Sequence, residues 1–259
     1  MQVRFPSLAI RSAVEPIGPM VHALEAGTVF SLLLSYIWFF QARVHWSWII
    51  LLALVIASHA VRGETPTTLG LRRAGFKDCA RRFAIPVLLV AVTATTLGFL
   101  FDTVRHVAPW RVAGVLAGYI VWALFQQYLL NGYFVNRIHA SFHARHEFIV
   151  ALIGGALFAA AHTPNMLLMV VTLIGGTVAA VAYLRHRNLF FLAFAHALIG
   201  TLIWFVVPDT VSHHLRVGPG MKRAAAPAPA IHRPSSNDSL RTLVPEPEVP
   251  LADSTTGGH

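Results

Sequence analysis

Charge is scarce in this sequence. Only 12% of its 259 residues are charged and 56% are apolar, whereas an ordinary soluble domain is about 25% charged. A water-exposed surface on a core of this size would need far more charge. Cysteine is almost absent: Cys79 stands alone, which excludes an internal disulfide and a multi-cysteine zinc site. The net charge of +9 forms no patch on a polar domain. Its basic residues are strung between apolar runs, so no nucleic-acid partner is expected. What remains is a polytopic membrane protein, with the lipid bilayer as its first partner.

The apolar runs mark the spans. A span needs about 20 apolar residues to cross a hydrocarbon core of ~30 Å. Candidates fall at 22–41, 46–61, 83–101, 110–137, 147–163, 165–184 and 188–207. The expected fold is therefore all-α, a membrane helix bundle of about seven transmembrane helices, occupying residues 1–207. Eight of the fifteen prolines lie in residues 208–259, which carry five basic and five acidic side chains. Such a segment buries too little apolar surface to offset its ordering entropy, so it is expected to be a disordered Pro/Ala-rich tail.

The body then carries all of the net charge. Arg62, Arg72, Arg73, Lys77, Arg81 and Arg82 cluster in segment 62–82. The bias of basic residues toward the cytoplasm puts that loop inside, in a multi-pass protein of the cell membrane. Among residues 1–207 the acids are Glu15, Glu25, Glu64, Asp78, Asp102 and Glu147, and none reads as clearly mid-membrane.

Polar side chains within spans are costly in hydrocarbon and usually face a protein interior or a water-filled pocket. Three clusters stand out: Gln126-Gln127-Tyr128-Leu129-Leu130-Asn131 in the fourth span, His162-Thr163-Pro164-Asn165 ending the fifth, and His196 with Gly200 in the seventh. Gln127 and Asn131 are four apart and share a helix face. With Gln126, His162 and His196 they give five polar side chains from three spans that can meet in one pocket. The glycine pairs Gly154-Gly155 and Gly175-Gly176, and Gly114 with Gly118, read as sites of close helix packing.

The order and spacing of these motifs resemble the CPBP family of intramembrane proteases, which includes CAAX prenyl endopeptidases and bacteriocin-processing relatives. The family pattern is Glu-Glu-x-x-x-Arg on one span, Phe-x-x-x-His on the next and His-x-x-x-Asn or Asp on a later one. Phe158 with His162 matches the second motif, and His196 the first position of the third. Gly132-Tyr133 through Arg137 resembles the end of the first motif. Arg62-Gly63-Glu64-Thr65-Pro66 with Leu69-Gly70-Leu71-Arg72 resembles the family's cytoplasmic elbow.

The departures fall on the chemistry. Gln126 and Gln127 stand where the family has its two glutamates, Asn131 where it has arginine, and Gly200 where it has Asn or Asp. A glutamine amide takes no proton near neutral pH and cannot be a general base. The substitutions read as concerted, because removing one member of a buried ion pair alone leaves an unpaired charge costing about 3–5 kcal/mol.

Two functions follow. The resemblance implies an endopeptidase with altered chemistry, acting on membrane-bound or lipidated peptides. In it His162 and His196 would bind a divalent metal such as zinc or position water. Gln126 would orient that water, and Asn131 or Asn165 would hold an oxyanion. The alternative is a non-catalytic relative that binds a membrane protein or a lipidated peptide. A carboxylate near His162 and His196 would favour the first.

Overall fold

The structure, a computed structural model, describes residues 17–221, except for the side chain of His45. All regular structure among these residues is helical. α1 spans Pro19–Ser35 and runs on as a π-turn, Tyr36–Phe40. α2 is Trp48–Val61, α3 Phe76–Leu100 and α4 Pro109–Gln127. A π-helical stretch, Tyr128–Val135, joins α4 to α5, Asn136–Ser141. α6 is Glu147–Ala161, α7 Met166–His186, α8 Leu189–Val206 and α9 Asp209–Ser212.

Each of the seven expected spans coincides with an apolar helix. Five are long and apolar enough to cross a membrane, the longest being the continuous Pro109–Ser141 rod; Trp48–Val61 and Glu147–Ala161 are shorter. The outer faces carry large exposed apolar side chains such as Leu88, Leu89, Val121 and Ile174, as a lipid-facing surface requires.

Packing follows residue size. α6 lies on α7, α4 on α8, α3 on α8 and α1 on α5. A Cβ on Gly176 would sit 3.2 Å from Gly155 Cα, so these two glycines set the close approach of α6 and α7. Gly114 and Gly118 differ: no heavy atom lies within 4 Å of where their Cβ atoms would be, so they mediate no packing within the described residues.

The segment between α2 and α3 docks on the junction of α7 and α8. Tyr183 donates its hydroxyl to Leu69 O, Leu189 N donates to Gly70 O, and Asn188 donates to Arg72 O and Ala74 O. Gly70 has φ +89°, and a Cβ there would lie 2.7 Å from Arg187 O, so only glycine fits.

Residues 208–221 differ from the sequence expectation of an unstructured tail from residue 208 onward. They form α9 and a 3₁₀ turn, His213–Leu215, and are tied to the bundle. Asn165 donates to Ser212 O and Arg216 O, and Gly218 N donates to Thr163 O. Arg105 pairs with Asp209. Contacts of this kind lie between residues distant in sequence and leave no compositional trace. The rest of the expected tail, 222–259, lies outside the described residues.

Candidate functional site

The polar side chains of the fourth span are placed by the change of helix type. α4 ends at Gln127 and the π-helical stretch begins at Tyr128. The wider turn keeps Gln127 and Asn131 stacked, and Asn131 Nδ2 donates to Gln127 Oε1 at 2.5 Å. Both are buried, Asn131 completely. Single-turn π segments recur at functional sites.

α6 and α8 bring in the histidines. Gln127 Nε2 lies 3.2 Å from His196 Nδ1. His162 caps the end of α6, with its Nδ1 2.7 Å from Phe158 O. The Phe158 ring stands edge-on to both imidazoles, its centroid 4.7 Å from that of His162 and 5.6 Å from that of His196. Gln126, His162 and His196 line cavities, and Gln126 Oε1 has no hydrogen-bond partner. Of the five side chains expected in one pocket, Gln126, Gln127, His162 and His196 line one cavity, and Asn131 lies outside its lining and joins them through Gln127.

Asn165 is not among them. Its Oδ1 accepts from Leu168 N to cap α7, and its Nδ2 serves Ser212 O and Arg216 O. With its hydrogen-bonding atoms so engaged, it is a structural clamp rather than an oxyanion holder.

Two cavities meet at this site. One lies between α1, α2, α4 and α6, the other between α3, α4, α7 and α8; Trp122, Gln126, Phe158, His162 and Val217 line both. Their volumes are about 170 and 230 Å³. Neither lining contains an Asp, Glu, Lys or Arg. The polar groups facing the space are amides, imidazoles and hydroxyls.

That donor set does not fit a zinc ion. A catalytic zinc usually takes three protein ligands, whereas two imidazoles and no carboxylate or thiolate line the cavities here. Among the described residues no group of three His, Cys, Asp or Glu side chains is placed to hold a metal.

Gly200 lies against Tyr119. A Cβ at Gly200 would lie 2.7 Å from Tyr119 Cζ. The Tyr119 ring fills the room that a side chain at position 200 would use, and it stands edge-on to His196 at 6.0 Å between centroids.

A second polar cluster was not read from the sequence. Arg137, read there only as the end of the first motif, is 1% exposed. Its Nη1 and Nη2 donate to the two oxygens of Glu64 at 2.9 and 2.6 Å, and its Nε lies 3.4 Å from Glu25 Oε1. Tyr133 donates to Glu25 Oε1 at 2.9 Å, Arg62 and Ser58 also bond Glu25, and His59 Nδ1 lies 2.6 Å from Glu64 Oε2. Burial by itself would raise the Glu64 carboxyl. The hydrogen bonds from His59 and Arg137, with their charges, instead hold it down at about 2. A lone acid inside the first apolar run, Glu25, was the available signal. This cluster ties α1, α2 and the following loop to the 109–141 rod, and its carboxylates are spent on Arg137 and Arg62.

No curated protein and no solved structure matches the chain. Residues 108–202, which hold Gln126, Gln127, Asn131, His162 and His196, match the family model of the type II CAAX prenyl endopeptidases, Rce1-like, and so bear out the resemblance to the CPBP family read from the motifs.

Proposed function

We propose that this chain is a non-catalytic Rce1-like membrane protein that binds a membrane-borne partner, a lipidated or transmembrane peptide, by its apolar part. One observation carries the reading: Gln127 is occupied on both sides, accepting from Asn131 and bonding His196. Where the family places acids, this site holds an uncharged amide–amide–imidazole chain. Its two amides accept no proton near neutral pH, so neither can serve as a general base. The apolar walls of the two adjoining cavities suit retention of a hydrocarbon group.

The test is a cleavage assay on purified full-length protein with a prenylated CAAX peptide and a transmembrane peptide, alongside His162→Ala and His196→Ala. No cleavage above the buffer blank, with peptide retained on the protein, is the expected result. Cleavage by the wild type that is lost in either histidine variant would overturn this reading in favour of an altered protease.

A further inference from the structure

The direction of the hydrogen bonds decides which atoms the site presents. Asn131 Nδ2 donates to Gln127 Oε1, so the Gln127 group facing His196 Nδ1 is its Nε2 amide, a donor. A ring nitrogen that accepts carries no proton, so neutral His196 bears its hydrogen on Nε2. His162 has the opposite arrangement. Its Nδ1 faces the carbonyl of Phe158, which only accepts, so the proton sits on Nδ1 and Nε2 keeps its lone pair.

Both rings line the same cavity and flank Phe158. One therefore offers a donor and the other an acceptor. Gln126 lines both cavities, and its Oε1 is a buried acceptor without a donor. Among the described residues, Gln126 is the one with such an unpartnered buried atom that also lines these cavities. The polar waist between two apolar lobes is thus neutral and two-sided: it wants a group that both donates and accepts. A hydroxyl or a carboxamide does so. A carboxylate or sulfate does not, and no cation in either lining would offset the cost of burying its charge.

We propose that the occupant is a single-chain lipophile carrying an uncharged hydroxyl or carboxamide, seated with its polar group at the Gln126–His162–His196 waist and its chain in the flanking lobes. This rests on the non-catalytic binding reading and specifies what that site accepts. The same chemistry could come from a free long-chain alcohol or amide, or from the amide-bearing end of a lipidated peptide.

The test measures displacement of tritiated oleyl alcohol from the purified full-length protein by oleamide, oleyl sulfate and octadecene. It is repeated with one S-alkylated peptide made as the carboxamide and as the free acid. Oleamide should compete at least about tenfold more tightly than oleyl sulfate. Gln126→Leu and His162→Phe should each weaken oleyl alcohol about five- to tenfold while leaving octadecene unchanged. Discrimination among the free lipids supports a free lipid as the occupant. Discrimination in the peptide pair alone supports the same waist chemistry delivered on a peptide. Oleyl sulfate or the free acid binding as tightly as its neutral counterpart overturns the inference, as does octadecene matching oleyl alcohol. The wild-type comparison needs no variant to fold. Equal binding without cleavage sinks this inference alone, whereas cleavage of the peptide sinks the non-catalytic reading.

Discussion

Gln127 of α4 reaches across the bundle to His196 of α8, its Nε2 3.2 Å from the imidazole Nδ1, while Asn131 one turn on donates to its Oε1 at 2.5 Å. The pair of amides thus positions the imidazole without charge. Gln127→Glu replaces the donor to His196 with an acid that has no cation beside it. It should lower stability at pH 7 by about 1–3 kcal/mol, read as a lower melting temperature. Adding Asn131→Arg should recover a large part of that loss, since the two positions act as one four-residue pair. Melting of the four variants in detergent gives the cycle; additive effects would show that the positions are independent.

Gly200 and Tyr119 make a similar exchange of bulk. Because Tyr119 occupies the space above Gly200, Gly200→Asn should overpack the site and cost about 1–3 kcal/mol. The same change in a Tyr119→Ser background should be better tolerated. Equal losses in both backgrounds would mean that the ring is not what excludes the side chain.

The Glu64 carboxyl carries a pH dependence. Its folded value, about 2, lies below its ordinary value of 4.5, so its stabilisation is present in full above pH ~4.5 and is lost as pH falls from there toward 2. Melting scans should be flat in this contribution from pH 7 to 5 and then fall. Glu64→Gln should flatten the acid limb. Arg137→Ala, which leaves Glu25 and Glu64 facing each other without their shared cation, should cost about 3–5 kcal/mol at pH 7.

Asn165 holds residues 208–221 in place through Ser212 O and Arg216 O. Asn165→Ala leaves the buried Ser212 carbonyl and the Arg216 carbonyl without that donor and should lower stability by about 1–3 kcal/mol. Truncation after Pro208 should do at least as much. An unchanged melting temperature in both would show that this segment contributes nothing to the fold.

Segment 62–82 is expected on the cytoplasmic side from its basic residues. Cys79 is 1% exposed, so it is a poor reporter from either side. Lys77 is exposed. In a Cys79→Ala background, Lys77→Cys should react with an impermeant maleimide only after cells are permeabilised; labelling of intact cells would reverse the topology.

The sequence by itself determined the fold class and the set of spans. Hydrocarbon imposes a length and a composition on each crossing element, and both are local properties of the chain. It also determined which polar residues converge, because Gln126, Gln127, Asn131, His162 and His196 are conspicuous in apolar surroundings. Tertiary structure decided the rest. Arg137 and Glu64 read as parts of two separate motifs, and only the docking of the α2–α3 segment pairs them, 73 residues apart. Residues 208–221 read as tail because the bonds that order them come from Asn165, not from their own composition. Gly200 read as a lost motif residue until Tyr119 was seen in its space. Which ring nitrogen of each histidine faces the cavity depends on what the other nitrogen touches, and only packing between helices sets that.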